Sequence, residues 1–178
     1  MPHIFEPAAS GRSKCRGCGR AIANGEIRFG ERLANPFAEG AEMTLWFHPL
    51  CAAYKRPEPL LEAIAAAPAE LDRAALEADA REGLEHDRLP RADGIERARG
   101  QATCRQCHQA IARGEWRLRL VFFEDGRFNP AGFVHPGCCR DYFEGGPVVE
   151  RALHFSPGLT DAERTEVRGL LTQAGSTK

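Results

Sequence analysis

The feature that most constrains this chain is that its sequence is written twice. SKCRGCGRAIANGEIRFG, starting at Ser13, aligns without a gap on ATCRQCHQAIARGEWRLR, starting at Ala102. Cys15 falls on Cys104, Cys18 on Cys107, Ile22 on Ile111, Gly25 on Gly114, Glu26 on Glu115 and Arg28 on Arg117. Farther on, FHPLC (Phe47 to Cys51) falls on VHPGC (Val134 to Cys138). The first copy spaces its residues Cys15-x2-Cys18-x29-His48-x2-Cys51, and the second Cys104-x2-Cys107-x27-His135-x2-Cys138. The fold must therefore be built from two copies of one module, with the two-residue difference absorbed in a central loop.

Three cysteines and a histidine at knuckle spacing suit a tetrahedral zinc site. The Cys-x2-Cys turn lets two sulfurs meet one ion, and the His-x2-Cys pair completes the shell. Four protein ligands leave no position open for water, so two structural Zn²⁺ ions are expected, one per module. Each supplies folding energy that a module with little core needs. Other uses of the thiols fit less well. No βαβ pattern surrounds either Cys-x2-Cys, as a thioredoxin-like redox pair would require. The seven cysteines are an odd number, and MPHIFEPAASGRSKC carries no apolar stretch of a secretory leader. One shared site from Cys15, Cys18, Cys104 and Cys107 would strand both His-x2-Cys pairs. Cys139 and His108 adjoin complete ligand sets and read as bystanders, while His3, His86 and His154 lack a partner pattern.

Those observations set expectations for compartment and chemistry. The protein is expected inside the cell, in the cytoplasm or nucleoid if bacterial and in the nucleus if eukaryotic. No apolar run is long enough for a transmembrane helix, so no membrane partner is expected. No Gly-rich phosphate loop, nucleophile elbow or carboxylate constellation is evident, so a binding protein is expected rather than an enzyme.

The sequence divides as 1–60, first finger; 61–96, acidic helical spacer; 97–145, second finger; and 146–178, a C-terminal helical segment. EIRFGERL and EWRLRLVFF read as strands. The Ala-, Leu- and Glu-rich spacer reads as one or two helices broken at Pro68, with an apolar stripe of Leu71, Ala75, Leu76, Ala80 and Leu84. Thr160-x-x-Glu163 is a capping box opening a helix through Val167, Leu170 and Leu171, with Gly175 beyond its end. The expected class is small zinc-stabilised α+β: two tandem modules, each a short antiparallel sheet plus helices, joined by a helical spacer. The formal net charge of −1 hides a division. Residues 1–56 and 97–145 each carry 8 Lys/Arg against 5 Asp/Glu, and 57–96 carry 4 against 11. Two basic modules thus flank an acidic spacer, whose simplest reading is a solvated helix face.

With the arginines added, the modules resemble the zinc fingers of poly(ADP-ribose) polymerases, also found at the front of a eukaryotic DNA ligase. SGRSKC looks like that family's lead-in, GEIR and GEWR match its first strand, and Trp46-Phe47 before His48 resembles its aromatic pair. The resemblance covers about 1–60 and 97–145 and includes no polymerase catalytic domain. It implies recognition of DNA nicks or ends without sequence preference, in repair or damage response, with a separate repair enzyme as partner. By this resemblance, Arg12 and Arg28 grip phosphate in the first finger and Arg117 in the second. Gln101 stands at the second lead-in position, so Arg99 just upstream, beside Arg97, is expected to take the phosphate there. Apolar side chains of the central loop would stack on exposed bases: Phe37 and Met43 in the first finger, Phe128 in the second. The physics is compatible. Arginine forks on a stiffened loop suit phosphate oxygens, and stacking contributes about 1–3 kcal/mol per base. The rival reading is a protein-interaction adaptor with the acidic spacer as its docking face. A zinc-stabilised transcription regulator is a third, although no recognition helix stands out.

Overall fold

The protein's structure, a computed structural model, describes residues 2–36, 38 and 40–173. It is α+β and forms two units: Met1–Glu85 with Phe123–Phe128, and His86–Phe122 with Asn129–Lys178.

In the first unit, β1 (Ile4–Pro7), β2 (Ile27–Ala34) and β3 (Glu42–Phe47) make an antiparallel sheet in that order. Period-two alternation sorts its side chains. Phe29, Leu45 and Phe47 are buried on one face. Arg28 pairs across from Glu6, and Gly30 across from Trp46, on the other. A Cβ at Gly30 would lie 2.7 Å from the Trp46 ring, so glycine lets the indole lie flat against the sheet. Helix α1 (Pro49–Lys55) follows at once, with Pro49 in its first turn, where a missing N–H costs nothing. Next come α2 (Pro57–Ala63), a short 3-10 turn, and α3 (Arg73–Glu85). Both α1 and α2 pack on α3. The helical stretch does break around Pro68. Its stripe is narrower than expected: Leu76 and Ala80 are buried, whereas Leu84 is exposed. Gly83 takes the inward place beside it.

The sheet is repeated as β4 (Ala92–Arg97), β7 (Trp116–Glu124) and β8 (Arg127–Val134), in that order, in the second unit except for the β7–β8 tip, Phe123–Phe128, which is counted with the first. A two-stranded ribbon lies between in sequence, β5 (Ala102–Thr103) with β6 (Ala110–Ile111). The stretch read as purely helical spacer therefore ends in a strand. Its composition is helical, but Ile95 and Leu118 face one another across the ladder, inside the core. The central loop expected in the second copy is a tight hairpin. Asp125 and Gly126 both take positive φ, 49° and 74°, as a two-residue turn matched to strand twist requires. Phe128 therefore lies on a strand. After β8 come a 3-10 turn, Pro136–Cys138, and the short α4 (Cys139–Tyr142). Helices α5 (Val148–His154) and α6 (Asp161–Gln173) follow. Val148, Ala152, Val167 and Leu171 join Ile95, Leu118, Leu120 and Val134 in one core. Ser156 Oγ fastens α5 to β4, accepting from the Ile95 N–H at 2.7 Å. The capping box is present: Glu163 Oε2 accepts from the Thr160 N–H at 2.9 Å, and Thr160 Oγ1 from the Glu163 N–H at 3.3 Å.

Candidate metal centres

Each unit gathers one predicted ligand set. The Sγ and imidazole nitrogen atoms of Cys15, Cys18, His48 and Cys51 lie within 4.8 Å of one another, as do those of Cys104, Cys107, His135 and Cys138. Both are Cys3His clusters that can hold a metal ion.

The local chain builds each cluster the same way. A turn closes the first knuckle, with the Gly19 N–H donating to the Cys15 carbonyl at 2.8 Å. The second knuckle closes by His108 N–H to the Cys104 carbonyl at 3.0 Å. His48 stands at the start of α1, so Cys51, one turn on, shares its face. The His48 N–H donates to Cys15 Sγ at 3.3 Å, and the His135 N–H to Cys104 Sγ at 3.4 Å. In both clusters Nδ1 faces sulfur: His48 Nδ1 is 3.4 Å from Cys18 Sγ, and His135 Nδ1 is 3.4 Å from Cys107 Sγ. The outer nitrogens are also positioned. His48 Nε2 is 3.8 Å from Glu26 Oε1, and His135 Nε2 is 3.2 Å from the Ala110 carbonyl. Such outer contacts fix ring orientation and tautomer in metal sites. Glu26 and Glu115 both brace the knuckle-to-strand turn, accepting from Ala23 N–H at 2.9 Å and Ala112 N–H at 2.6 Å.

Crowded sulfurs share their protons unevenly. Hydrogen bonds from Cys15 and Cys51 hold the Cys18 thiol far below its ordinary range, and bonds to Cys15 and Cys18 push Cys51 up. Contact with Cys15 and then Cys18 raises His48 to about 10. In the second cluster, burial pushes Cys138 up to about 12. Burial also acts to raise Cys104, but the N–H groups of Cys107, His135 and Gln106 outweigh it and bring this thiol down to about 6. A divalent cation replaces such shared protons outright. Cys139 stays outside the set. It is buried, burial holds it protonated, and its thiol donates to the His135 carbonyl at 3.5 Å.

The predicted DNA-contacting residues fall into different surroundings. Arg12 and Arg99 are exposed. Arg28 and Arg117 are not: their side chains are 11% and 10% exposed. Arg28 Nη2 donates to Glu6 Oε1 at 2.5 Å and Nη1 to Ser13 Oγ at 2.9 Å, with the guanidinium 3.5 Å over the Trp46 ring. Arg117 Nη2 donates to Glu96 Oε1 at 2.7 Å and lies 3.6 Å over the Phe133 ring. Met43 is half-buried; a Cβ on Gly126 would collide with its terminal methyl. Phe128 packs edge-on against Phe47, at 6.3 Å between centroids, and against Phe123 at 5.0 Å. Phe37 lies outside the described residues.

Sequence reasoning missed Glu6 and Glu96, the partners of these arginines. The signal was there: the repeat extends upstream with a one-residue gap, setting FEPA (Phe5 to Ala8) on IERA (Ile95 to Ala98). Also missed was a groove of about 510 Å³ lined by Ser13, Lys14, Cys15, Arg16, Gly19, Thr44 and Trp46. No helix among the described residues is long and apolar enough to cross a membrane. Fold and site together define a duplicated α+β protein with one Cys3His cluster per copy. No protein-family model matches the chain, and no curated protein matches it.

Proposed function

We propose that both clusters hold structural Zn²⁺ and that the protein is a non-enzymatic binder of broken DNA, acting on nicks or ends without sequence preference, in the manner of poly(ADP-ribose) polymerase-type fingers. Three thiolates and one imidazole are the donor set that zinc takes in closed sites. The observation that carries the DNA reading is the first knuckle. Arg12, Lys14, Arg16 and Arg20 are all exposed around it, and Lys14 and Arg16 line the groove beside Trp46. Cations clustered around such a groove suit the phosphate oxygens of a strand laid along it. In this reading Arg28 positions that surface, while the exposed cations Arg12, Lys14 and Arg16 make the contacts.

The test is fluorescence anisotropy of zinc-loaded protein with matched nicked and intact duplexes across a salt series. Tighter binding to the nick is expected, with roughly one unit of salt slope lost in Arg16→Ala. Equal affinity for both duplexes refutes break recognition.

One observation favours the adaptor reading instead. A groove of about 440 Å³ beside His48 is lined by Pro49, Leu50, Tyr54, Leu71 and Leu76, with Glu26, Asp72 and Asp79 at its rim. An apolar floor with an acidic rim suits a basic peptide segment. Absence of DNA binding, together with capture of a protein partner lost in Leu71→Asp, would favour it.

A further inference from the structure

Duplication makes each cluster the control for the other, and the two are not equally protected. At the first, Arg20 Nε donates to Cys18 Sγ at 3.4 Å, and Lys55 Nζ ties the knuckle to α1 through the Gly17 carbonyl at 3.0 Å. Gly17 sits so close to Cys51 that a Cβ there would lie 2.9 Å from the Cys51 Cβ. At the second, Gln109 stands in place of Arg20, Gln106 in place of Gly17 and Tyr142 in place of Lys55. Among the described residues no cation meets the Cys107 sulfur. Cys18 is half-buried, but Cys107 is exposed. The second knuckle also holds strain that the first avoids. The left-handed position is Gly19 in one, at φ 74°, and His108 in the other, at φ 59°, where a side chain is disfavoured.

We propose that the second cluster is a thiolate switch that a two-electron oxidant such as hydrogen peroxide opens at Cys107, while the first cluster stays closed. This rests on the zinc reading above. The Cys107 thiolate attacks a peroxide oxygen, forming a sulfenic acid and releasing hydroxide. The Cys104 thiolate, on the same turn, then displaces a second hydroxide from that sulfur to form the disulfide. Two thiolates lose two electrons, and peroxide becomes two waters with two protons from solvent. The metal, left with His135 and Cys138, dissociates. Exposure selects Cys107 as the first sulfur, because accessible thiolates oxidise first. With every ligand sulfur already held as thiolate by the metal, the Arg20 N–H draws electron density from Cys18 Sγ and makes it a poorer nucleophile, and its lesser exposure narrows the approach.

The experiment follows zinc release from the full, two-zinc chain under hydrogen peroxide with a chromogenic chelator, and then maps disulfides by mass spectrometry. The first equivalent should leave at least about tenfold faster than the second, with a Cys104–Cys107 disulfide. Gln109→Arg should slow the fast phase, and Arg20→Gln should quicken the slow one. Release of both equivalents at one rate, or a disulfide appearing first at Cys15 and Cys18, overturns the proposal while leaving the zinc reading intact. A purified chain that holds no zinc overturns both.

Discussion

Arg28 and Arg117 carry the same arrangement twice: a carboxylate from the neighbouring strand on one side and an aromatic ring beneath. A guanidinium removed from water needs such a partner. Glu6 is itself 39% exposed, so the full cost of orphaning a buried charge does not apply. Glu6→Gln is expected to destabilise the first unit by about 1–2 kcal/mol, between the surface and buried limits for such pairs. Arg28→Ala should lower the melting temperature, and Arg16→Ala should leave it unchanged while weakening DNA binding. Thermal denaturation beside the anisotropy series separates the two roles. If Arg28→Ala kept full stability and lost affinity alone, the positioning role would be wrong. Sequence pattern placed these arginines on strands, but their burial depended on two glutamates, from strands of four and six residues whose own periodicity is too short to mark them.

Elements were legible where the local chemistry was strong. The capping box at Thr160 specifies its helix start by two reciprocal hydrogen bonds, and both form. The Thr160 N–H bond lowers the Glu163 carboxyl. A depressed folded-state value means support that is fully present above the ordinary carboxylate range and is lost as pH falls from there through the lowered folded-state value. Helical signal from α6 should therefore weaken in acid in the native chain, and Glu163→Gln should flatten that dependence in a circular-dichroism titration. The β7–β8 turn was equally written in the sequence, as Asp125-Gly126 between apolar runs, yet the analogy with the longer first-copy loop hid it. Gly126→Ala meets both a positive φ and the Met43 methyl. It should cost on the order of 1–3 kcal/mol, read as a lower urea midpoint with unchanged metal content. The strands β1 and β4 were the hard cases. Four or six residues give too little periodicity, and β4 follows a stretch whose Ala and Leu content is helical.

At the scale of the molecule, the repeat made both clusters readable because metal ligation demands fixed residue types at fixed spacing, and packing demands much less. What the repeat could not convey is how differently the copies are finished. The first unit continues from its ligands into α1, with Leu50 in the helix, whereas the second has Gly137 there and makes a 3-10 turn before α4, as the poor helix propensity of glycine favours. All four ligands of each cluster come from one unit, so metal binding should be lost one unit at a time. Cys51→Ala is expected to bind one zinc per chain, Cys138→Ala one, and the double variant none, measured by native mass spectrometry. Zinc supplies on the order of 10 kcal/mol in small metal-folded modules, comparable to the whole stability of a small domain. Cys51→Ala should thus abolish the first unit's cooperative melting while the second unit's hydrogen-exchange protection persists around Leu118, Val134 and Val167. Loss of protection in both units from that single substitution would mean that the clusters do not act independently.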